Sequence, residues 1–330
     1  MVSTESTSYV HGYEASVLRS HSWRNATNSA AYLLPHITPR MQILDVGCGP
    51  GTITMDFARL VPDGKVVGLE CDSAREVIQQ ATRTAPAKNI HNIEFITANA
   101  HALPFEDSSF DITHAHQVLQ HVEDPVLALR EMARVTKPGG YVAVRSTDFR
   151  GFTWWPEFEG MSMWRELYLQ VMRSNGGTPD SGRRLRVWAR EAGLPIDDDK
   201  MTQTVGTWCY STKEEVSWWS TLWAERLLES KFRESALRHG VATENDLQAA
   251  AQAWKDWGAS LDAWFLVWHG ELLCRAAAIV SPVRGIGYRG KIVNCGLKED
   301  EEAGPLASQM LQWIENIQYG DEEHKWSYIL

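Results

Sequence analysis

The sequence is poor in basic residues and contains no clustered run of them. Its 330 residues include 32 lysines and arginines against 42 aspartates and glutamates, for a net charge of −10. Proteins that bind nucleic acid concentrate Lys and Arg against the phosphates. The densest basic group, Arg183, Arg184 and Arg186, is typical of the solvated face of a helix. We therefore expect no nucleic-acid partner.

Long apolar runs and paired cysteines are also missing. No stretch reaches the apolar length needed to span a bilayer, and residues 1–9 lack the apolar segment of a signal peptide. The five cysteines are odd in number and include no C-x-x-C spacing, so we predict neither a metal site nor a disulfide framework. These absences predict a reduced, cytoplasmic protein with no membrane partner.

What the sequence does contain is an apolar strand that opens directly into a glycine turn, ILDVGCGPGT from residue 43. Glycine permits positive φ and lets a ligand approach the backbone, so Gly47, Gly49 and Gly51 predict a binding turn. The spacing is G-x-G-x-G, whereas a dinucleotide site needs G-x-G-x-x-G, which disfavours a nicotinamide-dependent oxidoreductase. The carboxylate of Asp45, directly before the glycines, suits a ligand that carries an ammonium or another positive charge.

Strands and helices alternate over residues 41–148, which favours a parallel, doubly wound sheet. The second predicted strand, at 65–70, ends in Glu70. A carboxylate at that position is placed to bind ribose hydroxyls at the crevice where the strand order reverses. Two carboxylates, each at the end of a strand, therefore mark the predicted ligand site.

Five ordered segments resemble the class I S-adenosylmethionine-dependent methyltransferases, and most of all the group related to menaquinone and ubiquinone C-methyltransferases. They are LDVGCGPGT, the acid Glu70, ANAHALPF, SSFDITHAHQVLQHVEDP and LREMARVTKPGG, within residues 40–148. Five motifs in this order are a far more specific signal than one glycine turn. The resemblance implies an α/β, Rossmann-like sheet of seven strands with an antiparallel last strand, and S-adenosyl-L-methionine as the cofactor.

The resemblance also implies a role for each cofactor-binding residue. Asp45 would fix the methionyl ammonium, the glycines would leave room for the methionyl group, and Glu70 would bind both ribose hydroxyls. Asn99 and Ala100 would contact the adenine, and Gln117 would flank the methionyl end. The family usually has an acid at the position of Asn99. An amide oxygen still accepts a hydrogen bond from the adenine amino group, but more weakly than a carboxylate does.

The rest of the chain is predicted to extend this core. Residues 1–40 would form a helical segment that closes on the cofactor, and residues 41–210 would form the cofactor-binding core. Residues 211–260 would be a helical insert that covers the acceptor, and residues 261–275 would hold the last strand. The C-terminal extension, residues 276–330, contains an amphipathic pattern that would dock on the body or form a homodimer.

Tryptophan is concentrated in the second half of the chain, where 14 of the 15 lie at or beyond residue 154. A sixth strand at 201–210, parallel to the others, would end at the cofactor edge, because ligands bind outside the carboxyl ends of such strands. Trp208 and Trp219 are therefore predicted to line a pocket for an apolar or aromatic acceptor. Burial in a small helical core is the alternative for any single tryptophan.

A general base is needed only if the acceptor must lose a proton before it attacks. Three histidines, His114, His116 and His121, surround the end of the fourth strand. His116 lies nearest the expected catalytic edge and is the candidate base, with a structural hydrogen-bonded role as its alternative. We expect His121 to hydrogen-bond the backbone in the core.

The sequence thus predicts metal-free methyl transfer to the carbon, oxygen or nitrogen of a small molecule. An alternative function keeps the fold and the cofactor but catalyses a cyclisation or rearrangement without methyl transfer. A regulatory protein that only binds the cofactor is disfavoured, since the glycine turn and Glu70 are both present.

Overall fold

The computed structural model describes residues 20–276, 285–288 and 291–294. The chain divides into two compact units, Met1–Ala277 and Ala278–Leu330. In the second unit, Gly285–Tyr288 pairs antiparallel with Lys291–Asn294, a hairpin that the sequence analysis did not anticipate. The predicted amphipathic helix and the homodimer through the C-terminal extension lie outside the described residues.

A mixed sheet of eight strands forms the centre of the first unit. The strands are β1 (Gln42–Val46), β2 (Lys65–Glu70), β3 (Ile93–Thr97), β4 (Phe110–His116), β5 (Thr136–Thr147), β6 (Thr153–Trp155), β7 (Met201–Tyr210) and β8 (Trp264–Arg275). The first five pair in parallel in the order β3-β2-β1-β4-β5. Since β8 runs antiparallel to both β5 and β7, β7 is parallel to the first five strands, as predicted.

The predicted fold class is confirmed, with one addition. Strands β6 and β5 both pair with the same side of β8. Strand β6 pairs with the first residues of β8, and β5 pairs with the later ones. It continues the line of β5 after a tight turn in which the Asp148 carboxylate accepts a hydrogen bond from Gly151 N at 3.1 Å. A polar side chain that satisfies turn amides in this way interrupts a strand without ending its path along the sheet.

Strands β1 and β4 lie in the middle of the sheet and are buried on both faces. Ile43 and Leu44 of β1 and Ile112 of β4 are completely inaccessible to solvent. Strands covered by helices on both faces have near-continuous apolar sequences, and this explains the run that opens the glycine motif. The strand order reverses between β1 and β4, so their carboxyl ends border the crevice where such sheets bind ligands.

The α-helices whose bounds the structure gives are α1 (Ala26–Ser29), α2 (Thr52–Leu60), α3 (Arg75–Ala87), α4 (Pro125–Val135), α5 (Glu159–Ser174), α6 (Leu185–Glu191), α7 (Lys213–Glu229), α8 (Lys231–Arg238) and α9 (Glu244–Gly258). No helix within the described ranges combines the length and apolar character needed to cross a membrane. The insert predicted at 211–260 is three helices. Ser230 caps α8 through its Oγ, and Gly240 has a φ of +62° before α9 begins.

The tryptophan-rich half packs into an aromatic cluster, centred on Trp164 of α5 and including Trp223 of α7, Trp254 of α9 and Phe265 of β8. The Trp164 ring is completely buried, and its centroid lies 4.7 Å from those of Trp223 and Trp254 in edge-to-face contacts. Such contacts stabilise aromatic cores beyond simple burial of area. Many of the tryptophans are therefore buried in the core, which was the predicted alternative to a position lining the acceptor pocket.

Candidate active site

The glycine turn after β1 folds back over the end of β2. Gly47 N and Cys48 N both donate to Leu69 O, at 2.7 and 3.0 Å. Gly47, Gly49 and Gly51 have φ values of +69°, +52° and +75°, which non-glycine residues adopt at a cost. The turn leads directly into α2, for which Gly51 is the N-cap.

The three glycines meet different surroundings. A Cβ at Gly47 would lie 2.3 Å from Val118, and one at Gly51 would lie 2.7 Å from the Phe95 ring. A larger residue at either position would therefore collide with a neighbouring side chain. A Cβ at Gly49 would meet nothing within 4 Å. Gly49 is therefore the glycine whose missing side chain leaves open space beside the turn.

Glu70 ends β2 with its carboxylate beside this open space. Oε2 accepts from Gly49 N at 3.0 Å, and Oε1 accepts from Cys71 N at 2.9 Å. Burial raises the pKa of this carboxyl above its usual range, against the lowering effect of the two backbone hydrogen bonds. The carboxylate and the open turn fit the adenosine half of S-adenosylmethionine, because each oxygen keeps lone pairs that can accept from ribose hydroxyls.

Asp45 was expected to present its carboxylate to a ligand, but the side chain is buried. It is 3% exposed, with Oδ2 accepting from Thr54 Oγ1 at 2.6 Å and Oδ1 lying 2.7 Å from His114 Nδ1. These contacts tie the end of β1 to α2 and β4. The predicted contact of Asp45 with the methionyl ammonium stays a prediction, and it would have to share oxygens that already have protein partners.

Asn99 forms a tight turn after β3 in which its side-chain oxygen accepts from His101 N at 2.9 Å. Its backbone oxygen accepts from Ala102 N at 3.0 Å. The turn positions Ala100 at its tip. The adenine contacts predicted for Asn99 and Ala100 are not tested by this geometry, which shows that the amide oxygen also has a structural task.

The end of β4 carries two of the predicted residues. Gln117 has a φ of +57°, rare for a residue with a side chain, and its N–H donates to Arg145 O at 2.7 Å. His116 is 6% exposed, and neither of its ring nitrogens has a hydrogen-bond partner among the described residues. Burial, followed by the nearby Arg24 and Arg145, lowers the pKa of His116 well below its usual value, so the ring is neutral near pH 7.

A cavity of about 490 Å³, its open mouth included, lies beyond Gln117 at the carboxyl edge of the sheet. Trp208 and Trp219, both predicted to line an acceptor pocket, do line it, as do Tyr210 and Trp223. Seven of its lining residues are aromatic. His116 is not part of the lining, although its ring centroid lies 5.7 Å from that of Trp208.

Several lining residues were not identified from the sequence. They include Arg24 from the N-terminal segment, Tyr168 of α5, Arg226 of α7 and His121 after β4. One signal was available for Arg226, since residues 219, 223 and 226 recur at the spacing of one helical face. Arg24 and Tyr168 carried no local signal, because they come from separate segments of the chain, and His121 was assigned to the core instead of the cavity.

The described lining of the cavity carries more basic than acidic side chains. Its described lining residues include two arginines and two histidines and no carboxylate. Arg226 donates to Ser20 Oγ and lies over the Trp223 ring at 5.0 Å, and Arg24 lies over the Trp208 ring at 5.6 Å. These contacts hold positive charge against the aromatic walls.

The position expected for His121, in the core against the backbone, is wrong: it lines the cavity. Gln120 Oε1 accepts from Thr147 N at 3.0 Å, so its amide nitrogen is the atom 3.2 Å from His121 Nε2 and donates to it. Burial, and then the charge of Arg24, lowers the pKa of His121 to about 3. A histidine with that pKa is a weak base near neutrality.

The comparisons with known proteins identify the family of the chain. A family model described as a methyltransferase domain matches residues 37–182. An uncharacterized methyltransferase of Schizosaccharomyces pombe is 35% identical over 280 residues, which cover 82% of this chain and 97% of the relative. A probable methyltransferase of Aspergillus luteorubrus is 31% identical over 288 residues, covering 83% of this chain and 99% of the relative.

A demethylmenaquinone methyltransferase of Lactococcus lactis is 42% identical over 108 residues, 32% of this chain and 42% of that protein. The likeness to the two longer relatives extends over most of the chain, beyond the cofactor-binding core. The chain therefore belongs to the S-adenosylmethionine-dependent methyltransferases.

Proposed function

We propose that this enzyme transfers a methyl group from S-adenosylmethionine to a small aromatic metabolite bound in the cavity beside Gln117. The observation that carries the proposal is the position of that cavity. It lies at the carboxyl edge of β4 and β5, and β4 neighbours β1, the strand that leads into the glycine turn; its walls are largely aromatic. Aromatic walls bind flat apolar rings through their area and exclude water from the reacting atoms.

The cofactor residues have separable tasks in this proposal. Glu70 binds the ribose hydroxyls, Gly49 leaves room for the methionyl part, and Asn99 and Ala100 border the adenine. S-adenosylmethionine, when bound, supplies an electrophilic methyl group on a sulfonium. The protein's contribution is to orient the acceptor for in-line attack, since positioning is a large part of the rate gain in such displacements.

The walls of the cavity support two domain assignments. Trp219, Trp223 and Arg226 of the insert line it, together with Ser20 and Arg24 of the N-terminal segment. We propose on this basis that residues 211–260 form the acceptor wall and that the described part of the N-terminal segment, residues 20–40, closes over the site. The two segments meet where Arg226 donates to the Ser20 hydroxyl.

His116 remains the proposed general base if the acceptor must lose a proton. Its lowered pKa keeps it neutral and able to accept a proton, but limits its strength as a base. An acceptor that is already a good nucleophile would need no such help. His116→Ala should then leave turnover nearly unchanged, whereas loss of a working base lowers turnover by about 10²–10⁴-fold.

A cytoplasmic location is part of the same proposal. Cys48, Cys209 and Cys274 are free thiols in the structure, as a reduced compartment would keep them.

The experiment that tests the proposal combines cofactor binding with an acceptor screen. Calorimetry should show binding of S-adenosylmethionine and S-adenosylhomocysteine, and no binding of NADH. Mass spectrometry of reactions with phenolic and polyketide-like acceptors should show the gain of one methylene mass. Conversion of an acceptor to an isomer of unchanged mass would instead support cyclisation or rearrangement.

The acceptor cavity is tested by Trp219→Leu against a matched control, Trp188→Leu. The two tryptophans are similarly buried, at 6% and 8% exposure, but Trp188 lies in another core cluster away from the cavity. Trp219→Leu should raise KM for the acceptor and spare affinity for S-adenosylhomocysteine, because it removes contact that ground and transition states share. A loss of cofactor affinity in Trp219→Leu alone would place the insert against the cofactor.

A further inference from the structure

His269 of β8 lies at the centre of a buried polar chain that reaches the cavity. It is completely inaccessible, and its Nδ1 lies 3.1 Å from Arg145 Nη2. Its Nε2 lies 2.9 Å from the side-chain amide of Gln117, which lines the cavity. Arg145 is itself held by Asn28 O, which accepts from Nη1 at 2.6 Å, and by Glu271, 3.6 Å from Nε.

Arg145 fixes which atoms donate and which accept in this series of hydrogen bonds. A guanidinium can only donate, so Nδ1 of His269 must be the acceptor of the bond from Arg145. Burial, and then the charges of Arg145 and Arg24, lower the pKa of His269 well below its usual value, against the raising effect of a hydrogen bond to the Gly206 backbone, so the ring carries a single proton. That proton is therefore on Nε2, and Nε2 donates toward Gln117.

The Gln117 amide must then present its oxygen to His269. With its nitrogen there, two N–H donors would face each other across 2.9 Å. Amide oxygen and nitrogen have nearly the same shape, and their assignment follows from the hydrogen-bond network. Among the described residues, the Gln117 side chain has no hydrogen-bond partner other than His269. The NH₂ end of the amide is thus left for whatever binds in the cavity.

The backbone of Gln117 is held by the same arginine. Its N–H donates to Arg145 O at 2.7 Å while φ is +57°. A non-glycine residue in this left-handed region persists only where its surroundings fix it, and such residues concentrate at functional sites. Both the backbone and, through His269, the side chain of Gln117 are therefore fixed by Arg145.

We propose that Arg145 and His269 are positioning residues that set Gln117 as a hydrogen-bond donor to the ligand in the cavity. The ligand atom opposite Gln117 is then an acceptor oxygen, either of the methionyl carboxylate or of a carbonyl, phenolate or carboxylate on the methyl acceptor. An ammonium group opposite Gln117 is excluded, because it has no lone pair to accept and would bring N–H donors against N–H donors. The identity of the ligand rests on the proposed function, whereas the orientation of His269 and Gln117 does not.

The first test reads the proton position directly and needs no activity. Long-range ¹H–¹⁵N NMR of the ligand-free protein at neutral pH distinguishes the two neutral tautomers of each histidine. The signal lost in His269→Gln identifies His269, and it should show a protonated Nε2 and an unprotonated Nδ1. A protonated Nδ1 at this residue would overturn the proposal whatever the enzyme's function.

The second test reverses the donor. Gln117→Glu keeps the shape of the side chain but removes its N–H groups, and Gln80→Glu makes the same charge change at an exposed position on α3. Affinity for S-adenosylhomocysteine is measured by calorimetry, and acceptor KM by methyl transfer to a phenolic acceptor that the wild-type enzyme uses.

At least a tenfold loss in one of these quantities is expected for Gln117→Glu and none for Gln80→Glu. A loss of S-adenosylhomocysteine affinity assigns the oxygen to the methionyl carboxylate, and a rise in acceptor KM alone assigns it to the acceptor. Unchanged values for both would contradict the proposal in an enzyme that still transfers methyl groups. Wild-type protein that binds no S-adenosylhomocysteine would refute the proposed function while leaving the tautomer result standing.

Discussion

The two sides of the site are built in opposite ways. The cofactor side consists of backbone turns and carboxylates, with Glu70 beside the Gly49 turn and Asp45 behind it. The acceptor side consists of aromatic rings and guanidinium groups, with Trp208, Trp219 and Arg226 among its lining residues. One side comes from consecutive strand ends of a parallel sheet, and the other from helices and strands far apart in the chain.

This difference separates what is fixed by the fold from what selects the acceptor. The cofactor side depends on a few positions with special backbone geometry, each of which has little freedom to vary. The acceptor side depends on packing within a large aromatic cluster, where shape can change without altering the glycine turn. Changes to one side should therefore leave the other measurably intact.

The largest effect is expected from a substitution at the centre of the aromatic cluster, on which the acceptor side depends. Trp164→Ala should lower the free energy of unfolding by about 3–5 kcal/mol, because it leaves a large cavity in a close-packed core. Denaturant titration measures this loss, and Trp155→Ala, at a ring position 53% exposed, should cost far less. A small loss in Trp164→Ala would show that the cluster is not a core on which the acceptor side depends.

Substitutions at two glycines of the turn are expected to affect different properties, stability at Gly51 and ligand binding at Gly49. Gly51→Ala would press a Cβ against Phe95 in a left-handed conformation, with overpacking costing about 1–3 kcal/mol and the conformation about 1–2 more. Gly49→Ala carries only the conformational cost but should weaken S-adenosylhomocysteine binding. Gly139→Ala is the matched control, since it also has positive φ and open space. Equal affinity in Gly49→Ala and Gly139→Ala would show that no ligand approaches the turn at Gly49.

Glu70→Ala tests whether this carboxylate contributes to cofactor binding. It removes charge-assisted hydrogen bonds worth about 1.5–3 kcal/mol each, so affinity for S-adenosylhomocysteine should fall at least about tenfold, which corresponds to 1.4 kcal/mol. Glu94→Ala, on neighbouring β3 and paired with Lys65 at the surface, should leave affinity unchanged. Calorimetry on folded protein decides the outcome, and an unchanged dissociation constant would place the ribose elsewhere.

The smallest expected effect is a pH dependence of cofactor binding. Because burial raises the pKa of Glu70, the carboxylate that accepts from the ribose is lost as pH falls through a range above the usual Glu value of 4.5. Affinity should weaken there. The stability contribution of Glu70 changes in the opposite direction, since a raised folded pKa favours the folded state as the group protonates.

A weaker affinity at low pH is therefore not a sign of unfolding. Affinity for S-adenosylhomocysteine should be measured alongside the denaturation midpoint at each pH, and Glu70→Gln should flatten the affinity curve. A curve of the same shape in Glu70→Gln would assign the dependence to another group.

Much of the cofactor side could be predicted because its signals are local. The turn from β1 into α2 needs glycine at fixed positions, and Glu70 follows an unbroken apolar strand, so both are visible in a few consecutive residues. Even there, the burial of Asp45 between Thr54 and His114 could not be predicted, because it depends on which side chains face each other across three elements.

Less of the acceptor side could be predicted. Trp208 and Trp219 followed from the parallel orientation of β7 and the position of the insert, and both line the cavity. Arg24 and Tyr168 carried no local signal, His121 was expected in the core, and His116 is not part of the lining. A tryptophan in a helix has the same sequence signature whether it faces a core or a cavity, because both environments are apolar.

The five parallel strands, the glycine turn and the family could be inferred from the sequence, since strand periodicity and backbone conformation are set by neighbouring residues. Strand β6, the lining of the cavity and the direction of the hydrogen bonds through His269 depend on contacts between distant parts of the chain. Arg145, Gln117 and His269 are brought together by pairing of β5 with β8 and by the end of β4, across more than 100 residues of chain. Which atom donates to which is decided by that contact and by burial, which fixes the protonation state.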